Sequence, residues 1–178
     1  MKPTNTENRY TPAVRLLHWL MAASFIFMWA CGYAMTTWVA EDSALEELLF
    51  DLHISVGVTL LGLMIARCMV RVLNAPPPLP DTIPELERVG ALFGHLALYA
   101  LPFLIIAAGW AETNLEGYTV QWFGYELPIV LAEWEPWADT AADLHRWLAY
   151  TMLAVAVVHV AAVVKHRRDG HDVLRRML

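Results

Sequence analysis

Residues 143–168 read DLHRWLAYTMLAVAVVHVAAVVKHRR, an apolar run that carries His145 and His159. The run is long enough for a helix to cross a hydrocarbon layer of about 30 Å, which takes roughly 20 apolar residues. Ionisable groups are costly inside a bilayer, and those found there usually mark function. The segment therefore predicts a membrane-spanning helix that uses its two imidazoles.

The whole chain has the composition of a membrane protein. Of its 178 residues, 58% are hydrophobic and only 17% are charged. This is too apolar for a soluble domain of that length. We therefore expect an all-α integral membrane four-helix bundle, formed as a single domain over residues 1–178. The four apolar runs place its helices at about 16–39, 53–73, 92–111 and 145–164.

The first run follows a short basic tail, as a signal peptide does, but its apolar core is longer than the roughly 7 to 15 residues of a signal sequence. We expect it to remain in the mature protein as a helix.

The only cysteines, Cys31 and Cys68, are too few for a disulfide framework. The sequence has no C-x-x-C-H motif, which excludes covalent attachment of a c-type haem.

Charge is distributed very unevenly along the chain. Eleven of the 12 Lys and Arg residues lie near the two termini or between the second and third runs. By the positive-inside rule, both termini and that middle loop face the cytoplasm. The two opposite segments carry twelve acids against the single cation Arg146: Glu41, Asp42, Glu46, Glu47, Asp51, Glu112, Glu116, Glu126, Glu133, Glu135, Asp139 and Asp143. A surface of one sign selects partners of the other.

Two connecting segments have distinctive compositions. The outward segment before the fourth run carries Trp110, Trp122, Trp134 and Trp137. Trp at this density beside spanning helices predicts chain lying along the headgroup interface. The inner segment APPPLPDTIP, residues 75–84, predicts a stiff linker because it is rich in proline.

The positions of four histidines along their helices place them at two depths. His145 and His159 are 14 residues apart, which on a helix is ~21 Å of depth with only ~40° of rotation. They therefore share one face. His53 matches His145 in depth, and His18 matches His159. We predict that each pair meets across the interior of the bundle, where cofactor sites are normally built.

Two imidazoles from different helices suit axial ligation of a haem iron, because the porphyrin supplies the other nitrogens. A structural zinc site needs four ligands, and no cysteine or third suitable residue accompanies the outer pair. A proton relay would not require matched depths. A lone membrane histidine can also serve only as a hydrogen-bonding group between helices. The pattern favours two noncovalent haem b groups.

Other residues are candidates to accommodate those haems. Five glycines in the runs would make room for a flat macrocycle: Gly32, Gly57, Gly62, Gly94 and Gly109. Haem propionates require cations or donors. Arg67 lies 14 residues after His53, on the same helix face at the inner depth, and Arg15 and Arg71 are further inner candidates. Arg146 is the outer one. The alternative for Arg67 and Arg71 is snorkelling to headgroups.

Four motifs give the chain a family resemblance: RLLHW at 15–19, DLHISVG at 51–57, GHLALY at 94–99, and LH at 144–145 with a second His 14 residues later. With these, nearly the whole chain resembles the bacterial cytochrome b561 family of dihaem inner-membrane proteins. The resemblance implies that His18 and His159 ligate the inner haem, that His53 and His145 ligate the outer haem, and that electrons are exchanged with ubiquinone.

The resemblance also bears on the remaining site candidates. His95 and His166 lie where relatives carry His without ligating iron. His166 is a candidate for quinone contact or proton delivery, the alternative being a solvated basic tail. The family includes a protein that resembles a superoxide:ubiquinone oxidoreductase, for which a positive outer surface would attract the anionic substrate. The acidic outer surface of this chain instead suits a basic periplasmic electron carrier.

We therefore expect a dihaem cytochrome of a bacterial inner membrane that relays electrons between the quinone pool and that carrier. In this interpretation no residue makes or breaks covalent bonds, and no nucleic acid is bound. Three alternatives remain: superoxide oxidation coupled to quinone reduction, a haem-carrying anchor subunit of a larger dehydrogenase, and a haem-free bundle.

Overall fold

The computed structural model describes residues 9–74 and 83–178 and consists mainly of four long helices. They are α1 (Pro12–Thr37), α2 (Ala44–Leu73), α3 (Glu85–Leu115) and α4 (Glu135–Arg168). All four are long and apolar enough to cross a membrane. The four-helix membrane architecture predicted from the sequence is thereby confirmed. The proline-rich linker prediction falls mostly on residues 75–82, which lie outside the described ranges.

The helices extend beyond the apolar runs from which they were predicted. The chain enters α1 at Thr11, whose hydroxyl accepts a hydrogen bond from the Val14 amide at 3.5 Å. It enters α2 at Ser43, whose hydroxyl accepts from the Glu46 amide at 3.2 Å. Capping residues of this kind determine where a helix begins. Hydropathy marks only the part that lies in lipid, so it places both starts too late.

The segment between α3 and α4 is shorter than predicted, because the two helices take up its ends and contain Trp110 and Trp137. A two-stranded antiparallel hairpin, β1 (Gln121–Trp122) and β2 (Tyr125–Glu126), occupies part of the remainder. Its turn uses positive φ angles at Phe123 and Gly124, as a two-residue hairpin turn requires. The Trp122 indole donates to the Thr59 hydroxyl at 3.0 Å, so the hairpin lies against α2.

The helices pack as two hairpins. Helix α1 packs mainly against α2 and α3 against α4, while α2 and α3 share fewer contacts. A small apolar core of Met21, Leu60 and Met64 lies between the hairpins, with Phe25, Met28, Leu63, Tyr99, Phe103 and Ile106 around it. In the most apolar windows of α3 and α4, only 6% of residues are buried. Their apolar side chains therefore face outward, where lipid covers them.

Candidate haem-binding sites

Histidines from the two hairpins meet at both ends of the bundle. We call the end where α1 joins α2 and α3 joins α4 the acidic end, and the opposite end, which holds the start of α1 and the last turns of α4, the basic end. At the acidic end, the ring centres of His53 on α2 and His145 on α4 are 6.0 Å apart. At the basic end, those of His18 on α1 and His159 on α4 are 6.5 Å apart.

At the acidic end, the backbone orients one imidazole. Nδ1 of His145 lies 2.8 Å from the carbonyl oxygen of Ile105 on α3. A carbonyl can only accept, so Nδ1 carries the proton and Nε2 keeps its lone pair. Hydrogen bonds of this kind fix the tautomer of metal-binding histidines. Nδ1 of His53, across the interface, is buried and has no hydrogen-bond partner. The pair therefore has a free lone pair on His145 and an unsatisfied ring nitrogen on His53.

Two glycines lie directly against these rings. A Cβ added to Gly109 would come within 2.9 Å of Nδ1 of His145, and one added to Gly32 within 3.2 Å of Cε1 of His53. The other predicted glycines behave differently. A Cβ on Gly57 would make an ordinary 3.5 Å contact with Met28, and Gly62 and Gly94 have nothing within 4 Å. Of the five, only Gly32 and Gly109 leave space that a histidine ring uses.

The basic end brings together three imidazoles rather than two. The ring centre of His95 on α3 lies 5.5 Å from that of His159. This is closer than the His18 ring centre, which lies 6.5 Å from it. Arg67 on α2 places Nη2 at 3.3 Å from Nδ1 of His18. A guanidinium can only donate, so this contact uses the lone pair of Nδ1. A neutral His18 ring then carries its proton on Nε2. Nε2 can bind a metal only after Arg67 has released Nδ1 and the proton has moved there, or after the ring has lost that proton.

The donor sets at both ends fit a haem. Two imidazoles on opposite sides of one metal ion, with metal–nitrogen bonds of about 2 Å, have ring centres roughly 6 Å apart. Such a pair is sufficient for haem iron, because the macrocycle supplies the remaining ligands. A metal ion without a macrocycle would need at least three protein ligands. Within residues 9–74 and 83–178, no group of three His, Cys, Asp or Glu side chains could hold one.

The family model described as prokaryotic cytochrome b561 matches residues 9–178. The chain belongs to that family. It is also 36% identical over 181 residues to cytochrome b561 homolog 2 of Escherichia coli strain K12, an alignment that covers 100% of this chain and 95% of the relative. Family membership makes the protein a multi-pass membrane cytochrome that binds haem b and transfers electrons.

The arginines predicted to contact cofactor in this cytochrome b561 lie in different surroundings. Arg67 points into the bundle. Its Nη1 donates to the Val14 carbonyl at 3.5 Å, and its guanidinium carbon lies 5.6 Å from the centre of the Tyr99 ring. Nε of Arg15 is buried without a hydrogen-bond partner, whereas Arg71 is exposed. Arg146 is exposed and forms an ion pair with Asp143. Of the four, Arg67 alone contacts a histidine of the predicted ligand set.

His166 belongs to a charged cluster at the basic end. Its Nδ1 is 3.5 Å from a carboxylate oxygen of Glu87, too far for a strong hydrogen bond, and its side chain is only 14% exposed. The Lys165 ammonium donates to Glu87 at 2.8 Å and to Asp169 at 2.7 Å. The hydrogen bond from Lys165 lowers the pKa of Asp169. His166 is therefore held near the surface of α4 rather than left on a freely solvated tail.

Sequence reasoning did not identify several neighbours of these sites. They are the Ile105 carbonyl, the Tyr99 ring, Glu87, and the Trp110 indole, whose Nε1 is buried without a partner. Ile105, Tyr99 and Glu87 each come from a different helix than the residue they contact. A pattern along one helix cannot show such a contact. A signal existed for Gly32 and Gly109, which were two of the five glycines considered for the same role.

Proposed function

We propose that this cytochrome b561 binds two haem b groups and relays electrons across a bacterial inner membrane, between the quinone pool and a basic soluble redox protein. His53 and His145 would hold one haem, and His18 and His159 the other. The observation that carries this proposal is that α4 presents two imidazoles at different depths, each beside a histidine of the α1–α2 hairpin. A bis-imidazole haem supplies one-electron chemistry without needing an open coordination position.

The proposed orientation places the basic end in the cytoplasm. Ten of the eleven Lys and Arg residues that the structure describes lie towards that end of the bundle, and short loops rich in Lys and Arg remain on the cytoplasmic side. His166 is then the proposed contact for quinone or for the protons that quinone takes up. Its small exposure beside Glu87 supports a role at the edge of the bundle rather than in bulk water.

The proposed soluble partner is positively charged. Acids such as Glu126, Glu135 and Asp139 are exposed at the acidic end, and the single arginine there, Arg146, is paired with Asp143. A uniformly acidic surface accelerates encounter with a basic protein and slows the approach of an anion. This favours a basic electron carrier over superoxide as the reactant.

The first experiment is a reduced-minus-oxidised optical spectrum of the purified holoprotein, together with its haem-to-protein ratio. We expect b-type bands and two haems per chain, because both histidine pairs have suitable spacing. One haem per chain would overturn the dihaem assignment, and a colourless protein produced with ample haem would overturn the function.

The second experiment tests the partner by stopped-flow mixing of the reduced protein with oxidised basic cytochrome c. We expect electron transfer whose rate falls as salt is raised, since exposed charges are screened. The double substitution Glu126→Gln, Asp139→Asn should slow it, whereas Glu85→Gln, an exposed acid at the basic end, should not. Prompt, salt-sensitive haem reduction by superoxide would instead support the oxidoreductase alternative.

A further inference from the structure

We propose that Arg67 gives the two haem sites different reduction potentials, the basic-end site having the higher one. This inference rests on the proposed dihaem function. It assigns to Arg67 the role of a positioning residue that acts through its charge, in addition to any contact with a propionate.

Arg67 is partly buried at the basic end, among neutral groups. Its guanidinium lies 3.3 Å from His18, 3.5 Å from the Val14 carbonyl oxygen and 5.6 Å from the Tyr99 ring centre. These neighbours come from α1 and α3, so the partly buried cation lies among three helices. Within the part of the chain that the structure describes, no carboxylate forms an ion pair with it.

A fixed cation beside a haem site raises the reduction potential of that site. Oxidation of the iron adds one positive charge, and the nearby guanidinium makes this addition less favourable. The effect is stronger where few water molecules separate the charges, because the effective dielectric constant is lower there. It is also screened less by salt than an interaction at the surface. The direction is the same whether the guanidinium contacts the ligand ring or a propionate.

Among residues 9–74 and 83–178, the acidic end has no counterpart to Arg67. The side chain of Arg146, its one cation, is 64% exposed and is paired with Asp143. Acids at that end, such as Glu126 and Asp139, are solvent-exposed. Trp110 Nε1, next to Gly109 on α3, is buried without a partner and is uncharged. Anionic surroundings favour the oxidised form, so the acidic-end site should have the lower potential.

The separation of potentials gives the proposed relay a preferred direction. Transfer is favourable from the acidic end towards the basic end. Each molecule of a reduced one-electron carrier at the acidic end gives up one electron and is left oxidised. Two such electrons, with two protons, convert quinone to quinol. The charge distribution of this chain therefore favours movement of an electron from the acidic-end haem to the basic-end haem, and the outside donor and acceptor set the net direction.

The test is an optical redox titration of the purified holoprotein and its variants. We expect two resolved one-electron steps in the unsubstituted protein. Arg67→Gln should lower the upper midpoint more than the lower one, and Arg67→Lys should restore most of the difference. Arg175→Gln removes a cation at the same end that is 79% exposed and paired with Asp172, and it should move neither step.

Two single-site variants assign the steps without changing Arg67. His145→Ala should retain the basic-end haem and the upper midpoint, and His159→Ala should retain the acidic-end haem and the lower midpoint. Equal midpoints, or the reverse order, would overturn the inference while leaving the dihaem function intact. So would equal shifts of both steps in Arg67→Gln. Fewer than two haems in the unsubstituted protein would instead overturn the proposed function.

Discussion

At the scale of single residues, the acidic-end imidazoles depend on neighbours that lack a side chain. Gly109 and Gly32 each face a histidine ring at a distance that leaves no room for a methyl group at Gly109 and very little at Gly32. The Ile105 carbonyl, one turn before Gly109, accepts the Nδ1 proton of His145. One turn of α3 therefore provides both the space for the His145 ring and the hydrogen bond that orients it.

Gly109→Ala should reduce occupancy of the acidic-end haem. The new methyl group would lie 2.9 Å from Nδ1 of His145, so the ring must move away from the Ile105 carbonyl. The measurement is the haem-to-protein ratio and the spectrum of the remaining haem. Gly90→Ala is the matched control, since Gly90 lies on the same helix with nothing within 4 Å. This control should stabilise α3 by ~1 kcal/mol. Full haem content in Gly109→Ala would show that the ring is not held in this way.

Substitution of individual histidines should distinguish the ligand pairs. We expect His145→Ala to remove the acidic-end haem only and His159→Ala the basic-end haem only. His18→Ala should also remove the basic-end haem, whereas His95→Ala should retain it. Haem content and the reduced spectrum of each variant measure the outcome. If His95→Ala loses the haem and His18→Ala keeps it, then the 5.5 Å pair is the ligand pair.

At the scale of the elements, a side chain near the end of α3 holds the segment that joins α3 to α4. The end of α3 takes Gly117 into a positive φ of 86°, a common way to terminate a helix. Asn114, only 1% exposed, then fixes the segment that follows. Its amide nitrogen donates to the Tyr118 carbonyl at 3.0 Å, and its amide oxygen accepts from the Val130 amide at 2.9 Å. One side chain therefore ties both ends of the acidic-end segment to α3.

Asn114→Ala should loosen residues 116–134. It would leave two backbone groups without their partner, at a cost of roughly 1–3 kcal/mol for each that stays buried. Hydrogen exchange and limited proteolysis of that segment measure the effect. Asn114→Asp keeps the acceptor but places a carboxylate against the Tyr118 carbonyl oxygen at a position only 1% exposed, so it should loosen the segment as well. Asn74→Ala is the control, because the Asn74 side chain, at the end of α2, donates to the Val70 carbonyl of that helix. Unchanged protection in Asn114→Ala would contradict this role.

The elements also show how far the sequence could predict this protein. The four spans and the shared face of His145 and His159 were predictable, because helix rise and rotation are fixed. Helix starts were not, because Ser43 and Thr11 cap them outside the apolar runs. The contacts of Arg67 with His18 and Tyr99 were not either. They depend on how helices pack, and periodicity along one helix leaves that undetermined. The cofactor roles of the predicted site residues stay predictions.

At the scale of the whole molecule, each predicted ligand pair joins the two helical hairpins. His18 and His53 belong to the α1–α2 hairpin, and His145 and His159 belong to α4. The apolar core between the hairpins is small, and α2 and α3 share few contacts. We therefore expect bound haem to supply much of the interaction between the α1–α2 and α3–α4 hairpins.

Removal of haem should lower the thermal stability of the purified protein. A ligand that binds only the folded state stabilises it by about 2.7 kcal/mol at a concentration of 100 times its Kd. The comparison is the unfolding midpoint of protein produced with and without haem supply, in the same detergent. His159→Ala should fall between the two. Identical midpoints would show that the helices associate fully without cofactor.

The location of both α4 histidines also has a consequence for biogenesis. Helix α4, Glu135–Arg168, follows the other three described spans along the chain, and it contributes to both proposed ligand pairs. Neither pair can form while only three spans have been inserted. A nascent chain arrested before Glu135 should therefore capture no iron porphyrin, and loading becomes possible at both depths only once α4 has been inserted.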